Sequence, residues 1–571
     1  MQWRQSRPPD DNDYPILIPQ KKTGRQIDLN NKGNAMTDKI TNWTSADDAM
    51  VENAIRRGAT RRDLLQMMLA GGVAAVAGGA IFGRASAAFA ATPVSGGSLK
   101  AAGWSSSTAD TLDPAKASLS TDYVRSCAFY NRLSFLDKDG VTQMELAESI
   151  ESADAKVWTV KLRKGVTFHN GKSLSSADVV YSLNRHLDPA VGSKVNAIAK
   201  QMTGIKAVDP LTVEITLANP NADLPTILAI HHFMIIADGT TDFSKANGTG
   251  AFVCETFQPG VRSVGVKNKN YWKQGGPHLD SFEFFGIEDD SARVNALLSG
   301  DIQLAASINP RSMRLLDGQA GVTLSKSTSG NYTDLNMRLD MNPGNNKDFV
   351  TGVKYLLNRE VIQKSALRGL AEIGNDQPVP PSNIYHNADL KPKAFDPEKA
   401  KFHFQKSGLF GQSIPVVASD AATSSIDMAM VLQQAGADIG MKFDVQRVPS
   451  DGYWSNYWLK APMHFGNINP RPTPDILFSL LYSSDAPWNE SQFKSSKFDS
   501  MLVEARGSLD QAKRKAIYGD MQAMIAEDAG TAIPAYISNV DAISSKLHGL
   551  EANPLGGMMG YAFAEYVWLD A

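Results

Sequence analysis

The segment Met463–Asn489 carries the residues best suited to holding a small molecule. It combines aromatic side chains and prolines with one arginine, Arg471, and with two aspartates, of which Asp475 precedes an apolar run. The guanidinium of Arg471 can bind a ligand carboxylate through two parallel hydrogen bonds, and its alternative role is an ion pair between loops. Asp475 has the alternative of capping a helix predicted over 476–481. The segment therefore predicts a polar binding loop followed by a short helix.

Aromatic residues in several parts of the chain are candidates for the walls of a pocket, because ligand pockets are lined mainly by apolar and aromatic groups. The candidates are Trp104, Tyr332, Tyr453, Trp454 and Trp488. Packing in a core or at a hinge is the alternative for each of them.

The sequence lacks the motifs that mark catalysis or nucleotide binding. It contains neither a G-x-S-x-G nucleophile elbow nor an H-E-x-x-H zinc motif. Five residues rather than four separate Gly165 from Gly171, so the Gly-Lys-Ser that follows is not a phosphate loop. His231 and His232 are adjacent, which does not match metal-ligand spacing, and we expect two ordinary histidines near a lobe surface. The sequence predicts no catalytic residue, cofactor or metal.

The composition is that of a folded protein without a strongly charged partner. The chain has 571 residues, 43% hydrophobic and 20% charged, with a formal net charge of −3. This length suffices for two or more domains. No basic cluster is evident, so nucleic acid is not an expected partner. Cys127 and Cys254 are the only cysteines, and both two buried thiols and a disulfide in an exported protein remain open.

The N-terminal region has the layout of an export signal. An Arg-Arg pair lies within Thr60–Leu65 in a context that resembles the twin-arginine motif, and it is followed by the apolar stretch Met67–Phe82 and then by small residues. This order predicts a twin-arginine signal peptide over 60–90, cleaved after Ala90 or alternatively after Ala87, and a periplasmic protein. A membrane anchor is the alternative, but the stretch is shorter than the roughly 20 residues that span a bilayer. Residues 1–59 are predicted to be a disordered extension or the product of a start site assigned too early.

The stretch Trp158–Asp188 shows the clearest succession of secondary structure. It begins with alternating apolar and polar residues, typical of a half-buried strand, and continues through an Asn-Gly turn. Ser175 and Asp178 have the spacing of a capping box before a helix with one apolar stripe. The stretch predicts a strand, a hairpin and a capped helix. Leu211–Leu217 alternates in the same way and predicts a further strand.

Other segments add elements with recognisable boundaries. Gly248–Phe252 and Asn268–Trp272 precede a predicted strand, helix and strand, in which Gly300 suits a left-handed C-cap. Strand, helix and strand at this spacing indicate an α/β layer. Near the C-terminus, Ser508 is predicted to cap a long helix with Gln511 at the third position.

These segments together resemble the bacterial extracellular solute-binding proteins of family 5, the peptide-binding type. Gly248–Phe252 is similar to the family's "GTGPY" element and Asn268–Trp272 to its "RNPDYW" element, and the resemblance extends over most of 98–571. It implies an α/β fold, the two-lobe periplasmic-binding-protein fold of type 2, cluster C, with a hinge and an inserted third subdomain. The implied division is lobe I at 97–130, 205–305 and 535–571, the inserted subdomain at 131–204, and lobe II at 306–534.

The resemblance also implies a function. Such a protein captures a peptide or peptide-like solute and presents it to the permease and ATPase complex of an ABC importer, as a monomer that meets the membrane only through the transporter. In peptide-binding relatives an aspartate holds the peptide ammonium, and Asp475 matches it best, although Arg-Pro-Thr-Pro replaces the usual Gly-Trp before the acidic residue. The expected ligand-binding residues are Asp475, Arg471, Trp104, Tyr332, Trp454 and Trp488.

Three alternatives remain open at this point. The first is an exported hydrolase of small amides or esters on a two-lobe scaffold. The second is a binding protein for an opine, a sugar or a metal chelate, since one fold serves many solutes. The third is a ligand-sensing partner of a receptor.

Overall fold

The computed structural model describes residues 93–309, 312–316 and 318–570. The predicted extension, signal peptide and cleavage sites lie outside these ranges. None of the helices within them is long and apolar enough to cross a membrane.

Twenty strands form in the described part of the chain, and most of them belong to one large sheet. The strands are β1 (Ser98–Gly103), β2 (Ser134–Leu136), β3 (Thr142–Met144), β4 (Ala147–Glu151), β5 (Val157–Leu162), β6 (Met202–Asp209), β7 (Thr212–Leu217), β8 (Phe252–Gln258), β9 (Arg262–Lys267), β10 (Ser281–Gly286), β11 (Leu304–Ala305), β12 (Val322–Met337), β13 (Ala371–Ile373), β14 (Ser413–Ala418), β15 (Lys442–Arg447), β16 (Met463–Ile468), β17 (Thr531–Ala532), β18 (Ala535–Ser544), β19 (Leu547–His548) and β20 (Trp568–Leu569).

Helices alternate with these strands and cover the sheets. They are α1 (Ser120–Phe129), α2 (Ser176–Arg185), α3 (Asn196–Ala199), α4 (Leu224–Ile227), α5 (Asp290–Ser299), α6 (Met313–Leu316), α7 (Lys347–Leu356), α8 (Arg359–Val361), α9 (Pro397–Lys406), α10 (Ser425–Ile439), α11 (Tyr453–Asn456), α12 (Pro474–Leu481), α13 (Ser496–Gly507), α14 (Gln511–Asp528), α15 (Gly557–Gly560) and α16 (Phe563–Tyr566). A 3₁₀ turn at Pro114–Lys116 and a π turn at Ile362–Ala366 complete the set.

The large sheet has 12 strands and runs through both lobes. Its main order is β15-β14-β16-β12-β18-β11-β1-β10-β9-β8, with β13 on β18 and β17 on β12. The strands β10 and β11 lie on either side of β1 and both run parallel to it, with α5 between them in the chain. This arrangement confirms the α/β layer that the sequence predicted.

Two long strands carry the chain between the lobes. β12 pairs with β18 from Val322 to Tyr332, with an irregularity between Ser327 and Asn331. Beyond that point β12 pairs with β16 in lobe II, whereas β18 pairs with β11 in lobe I. The two lobes are therefore connected by an antiparallel pair whose register is interrupted, which is a suitable place for bending.

A separate four-stranded sheet, β4-β5-β7-β6, forms the core of the inserted subdomain. Val213 and Ile215 of β7 are fully buried against Trp158 and Val160 of β5. The strands β6 and β7 thus belong with the inserted subdomain, whereas the predicted boundary at 204 assigned most of them to lobe I. The sheet joins them because the alternating apolar face of β7 has its partner face on β5.

Most local predictions from the sequence agree with the structure. The Asp178 carboxylate accepts the backbone N–H of Ser175 at 2.8 Å, as the capping-box spacing predicted, and Gly300 closes α5 at φ +82°. The predicted cap of the long helix is wrong: Asp510 caps α14 by accepting from Lys513 N at 3.0 Å, while Ser508 ends α13.

The two cysteines lie buried in the lobe I core as free thiols. Burial raises the pKa of Cys127 to about 12. Of the two alternatives that the sequence left open, the structure has the pair of buried thiols.

Candidate functional site

An aromatic cluster on lobe I forms one wall of the space between the lobes. Tyr123 of α1 stacks on His231 with ring centroids 5.3 Å apart, and both contact Tyr561, at 5.4 and 5.2 Å. Trp104, which follows β1, lies 6.3 Å from Tyr561. Four segments distant in sequence therefore supply one wall of rings. We call these four residues the aromatic wall.

Of the two histidines that the sequence predicts near a lobe surface, His231 is half-buried and lines a cavity, whereas His232 is buried. His232 is only 9% exposed and its Nε2 lies 2.9 Å from the Ala117 carbonyl oxygen. His231 Nε2 lies 3.1 Å from the Gly560 carbonyl oxygen. Burial, assisted by the charge of Arg132, lowers the pKa of His231 to about 3. The ring is therefore neutral at physiological pH and contributes stacking rather than charge.

Tryptophans and one arginine of lobe II form a second set. Trp458 lies 5.7 Å from Trp454 and 5.7 Å from Trp488, measured between ring centroids. The guanidinium of Arg471 lies 5.9 Å from the centroid of Trp488, within cation–π range. Trp454 is 42% exposed at the margin of the set, while Trp488 also packs on the core of lobe II.

Arg471 is a half-buried cation whose partners are neutral. Its Nη1 donates to the carbonyl oxygens of Asn469 and Pro470, at 3.0 and 3.1 Å. Burial lowers its pKa, and the groups that oppose this lowering are the phenols of Tyr332 and Tyr123. Since Tyr123 belongs to the aromatic wall of lobe I, the guanidinium lies near enough to that wall for their charges to interact. Within the ranges that the structure describes, Arg471 has no ion pair.

Asp475 has an internal partner that the sequence did not reveal. Its Oδ1 accepts from Nε of Arg506 at 2.8 Å, and the side chain is almost completely buried. The N-cap of α12 is Thr473, so the alternative of Asp475 as the helix cap is wrong. Burial outweighs the nearby guanidinium and raises the pKa of Asp475 to about 6. Its carboxylate is thus held by α13 rather than left open for a ligand.

Two carboxyl groups lie behind the tryptophans of lobe II. Asp334 of β12 and Glu490 are both buried, and Glu490 accepts a hydrogen bond from Nε1 of Trp458. Gly466 makes room for them, because a Cβ there would lie 2.0 Å from Glu490 Oε1. Burial raises the pKa of both groups, and the charge of Asp334 raises that of Glu490 further. Neither forms an ion pair within the described ranges, so burial favours the protonated form of both groups.

Polar contacts also join lobe II to the segment that contains Ala222 and Asp223. Arg514 of α14 forms an ion pair with Asp223, which precedes α4 of the inserted subdomain. The backbone N–H of Ala222 donates to the Arg506 carbonyl oxygen at 2.8 Å. The structure therefore represents an arrangement in which the lobes touch.

A cavity of about 490 Å³ opens next to the aromatic wall. Lobe I, the inserted subdomain and the C-terminal segment supply its lining, and it meets the wall at His231. Lys273, beside Glu145 at 3.3 Å and Glu565 at 3.0 Å, neutralises the acids at its edge, and Glu145 also pairs with Arg132. The cavity extends the space beside the aromatic wall, and its lining also includes the acids Asp137, Asp139 and Glu551.

The structure brings together some of the predicted site residues and separates others. Trp104, Arg471 and Trp488 lie in the two facing sets, and Trp454 lies at the margin. Tyr332 is 1% exposed inside lobe II, although its phenol lies near enough to influence Arg471. Tyr453 is fully buried and donates to the Phe465 carbonyl oxygen, which is a packing role.

Sequence reasoning missed four members of the two sets: Tyr123, His231, Tyr561 and Trp458. Each is flanked by ordinary helix or loop residues, and no local pattern marks it.

Within the described ranges, the structure places no group of three or more His, Cys, Asp or Glu side chains where it could hold a metal ion.

Comparisons with known proteins identify the family of this chain. A family model described as bacterial extracellular solute-binding proteins, family 5, matches residues 142–490, more than half of the chain. Glutathione-binding protein GsiB of Escherichia coli is 27% identical over 455 residues, covering 76% of this chain and 88% of the relative.

Two solved structures show the same fold. The periplasmic binding protein DppA from Helicobacter pylori, in complex with a peptide, is 25% identical with a TM-score of 0.69 and covers 84% of this chain and 99% of its own. The ABC transporter substrate-binding protein CtaP from Listeria monocytogenes is 24% identical with a TM-score of 0.74, over 83% and 99% of the two chains. Two lobes with mixed α/β sheets are therefore the architecture of this chain, which belongs to the bacterial extracellular solute-binding proteins of family 5.

Proposed function

We propose that this protein captures a peptide or peptide-like solute between its two lobes and releases it to the permease of an ABC importer. As a member of family 5 it is a substrate-binding component of such an importer. The identity of the solute, the partnership with a particular permease and ATPase complex, and action as a monomer are the parts that we propose.

The observation that carries the proposal is the pair of facing sets on separate lobes. The aromatic wall belongs to lobe I, whereas Arg471 and Trp488 belong to lobe II. A solute between them contacts both lobes at once, so it binds the closed arrangement better than an open one. This differential affinity is what shifts a two-state equilibrium toward closure.

The connection between the lobes supports reversible closure. β12 and β18 join them, and their pairing is interrupted between Ser327 and Asn331. The ion pair between Asp223 and Arg514 forms only where the lobes touch. Bending at the irregular register would separate these two side chains and open the space beside the aromatic wall.

The groups around the cleft support binding without chemistry. His231 is neutral and stacked, Asp475 is held by Arg506, and the Cys127 thiol is buried with a raised pKa. A hydrolase needs a nucleophile within hydrogen-bond reach of a base, and the residues of the two facing sets do not supply that arrangement. The hydrolase alternative is therefore less well supported than solute capture.

We also propose export by the twin-arginine route, with cleavage after Ala90. The Arg-Arg pair, the short apolar stretch and the small residues follow one another in the required order. We further propose lobe boundaries close to the predicted ones, with β6, β7 and α4 moved into the inserted subdomain.

The proposal is tested by retention of a solute from a small-molecule extract of the source cells. The purified protein is incubated with the extract, freed of unbound material and denatured, and the released molecules are identified by mass spectrometry. The pure solute is then titrated while small-angle X-ray scattering reports the radius of gyration. We expect an unaltered peptide-like solute whose binding makes the protein more compact.

A matched pair of variants locates the site. Trp104→Ala should weaken solute binding by about tenfold, because a large aromatic contact is lost. Phe402→Ala removes a ring that is 59% exposed and should leave binding unchanged. Absence of any retained solute would overturn the proposal, and release of a cleaved product would favour the hydrolase.

A further inference from the structure

The charges that face the cleft are not balanced within the protein. On the lobe II side Arg471 carries a positive charge, and its hydrogen bonds go to the carbonyl oxygens of Asn469 and Pro470. Both bonds use Nη1, which leaves donors on Nη2 and Nε for another acceptor. A half-buried guanidinium of this kind is costly unless something supplies an anion.

The acids nearest to the cleft are already committed to other partners. Asp475 accepts from Arg506 at 2.8 Å. Asp122, next to Tyr123, accepts the backbone N–H of Ser118 at 3.0 Å and lies 3.4 Å from Arg125. Neither carboxylate is available to hold the ammonium group of a ligand.

The remaining acids behind the lobe II set are not positioned as ammonium ligands either. Asp334 and Glu490 are buried, Glu490 accepts from Trp458, and burial raises the pKa of both carboxyl groups. On the opposite side of the cleft the aromatic wall contributes the neutral ring of His231. The aromatic wall and the lobe II set therefore offer one cation and several rings, and no carboxylate belongs to either set; the acids Asp137 and Glu551 lie in the lining of the neighbouring cavity.

We propose that the solute is an acid whose carboxylate docks on the guanidinium of Arg471, while its apolar or planar part lies against Tyr123 and Tyr561. This inference rests on the proposed function and specifies its ligand class. A carboxylate on an arginine forms charge-assisted bonds, in which two parallel contacts fix orientation as well as affinity. A free α-ammonium is not required, so N-blocked peptides and other acids are included.

The test uses the solute that the protein retains from the cell extract, together with its neutral methyl ester. Affinities of both are measured calorimetrically for the wild type, Arg471→Gln and the control Arg447→Gln, which changes an exposed arginine of lobe II. We expect a carboxylate-bearing solute, an affinity loss of about tenfold or more in Arg471→Gln, and no change in the control. Arg471→Lys, which keeps the charge but not the planar fork, should recover part of the affinity.

The ester separates a direct contact from a structural effect. Esterification should cost the wild type about tenfold or more and cost Arg471→Gln little, because the charged contact is already absent. An equal loss in both proteins, or a retained solute without an acidic group, would overturn the inference while leaving solute capture intact. If no solute is retained at all, the proposed function fails first.

Discussion

Arg471 and Asp475 stand four positions apart, yet the structure treats their charges in opposite ways. Arg471 lies in the loop before α12 and bonds to backbone carbonyls of its own loop. Asp475 lies in the first turn of α12 and forms an ion pair with Arg506 of α13. One charge is satisfied inside lobe II, whereas the other faces the aromatic wall of lobe I.

This contrast indicates which of the two residues meets a ligand. A charge that already has a buried partner contributes mainly to stability, because a ligand would have to displace that partner. A charge without one is available for binding. Substitutions around Asp475 should therefore change stability, and substitutions at Arg471 should change affinity.

The largest effect is expected for Arg506→Met. It leaves the buried carboxylate of Asp475 without a cation, and removal of one partner of a buried pair costs about 4 kcal/mol. The loss in the free energy of unfolding should be larger at pH 8 than at pH 5, because Asp475 takes up a proton at the lower pH. Urea denaturation at both pH values measures it.

Two further variants serve as controls for that prediction. Arg447→Met, at an exposed arginine, should change stability by less than about 0.5 kcal/mol. Asp475→Asn introduced together with Arg506→Met should restore part of the loss. No rescue would mean that the pair is not the source of the effect.

The pH dependence of stability should reveal Asp475 directly. The pKa of Asp475 in the fold is about 6, above the ordinary 3.8. Its contribution to the free energy of unfolding is therefore fully present below about pH 4 and is lost as the pH rises through 6. The difference amounts to about 3 kcal/mol. Asp475→Asn should lack this decline, and solute affinity should stay within about twofold of the wild type. Parallel pH curves for both proteins would contradict the prediction.

A smaller effect is expected where the lobes meet. Arg514→Gln removes the ion pair that links α14 of lobe II with Asp223. Solute affinity should fall by about tenfold through faster release, since the closed form alone is weakened. Stopped-flow fluorescence measures the release rate. Lys513→Gln, on the same helix but 52% exposed, is the matched control.

The smallest effect on solute affinity is expected for the neutral ring of His231 in the aromatic wall. Because the pKa of His231 is about 3, His231 does not change charge between pH 5 and pH 8. His231→Phe should therefore alter solute affinity by about 1 kcal/mol or less and leave its pH profile unchanged in that range. Isothermal calorimetry at several pH values checks this. A pH dependence of the wild type in this range that is lost in His231→Phe would show that the ring carries charge.

Much of the fold could be predicted because its signals are local. The Ser175–Asp178 spacing, the alternation of Leu211–Leu217 and the glycine at 300 each act within one turn or one strand. The cap of α14 was misassigned to Ser508 because two acceptor residues lie close together, and only the helix register selects Asp510. The boundary at 204 was misplaced because sheet partners are not encoded in one segment.

The amino-acid sequence was sufficient to identify the family and the kinds of residue at the cleft. An ordered pattern over some thirty positions is specific, and the aromatic and basic side chains at Trp104, Trp488 and Arg471 can be read from it directly. Only the tertiary structure decided how these groups are used. The pairing of Asp475 with Arg506, 31 residues away, depends on how α12 and α13 pack on the lobe II core, and burial then sets the charge states. The aromatic wall likewise exists only because packing brings four distant segments together.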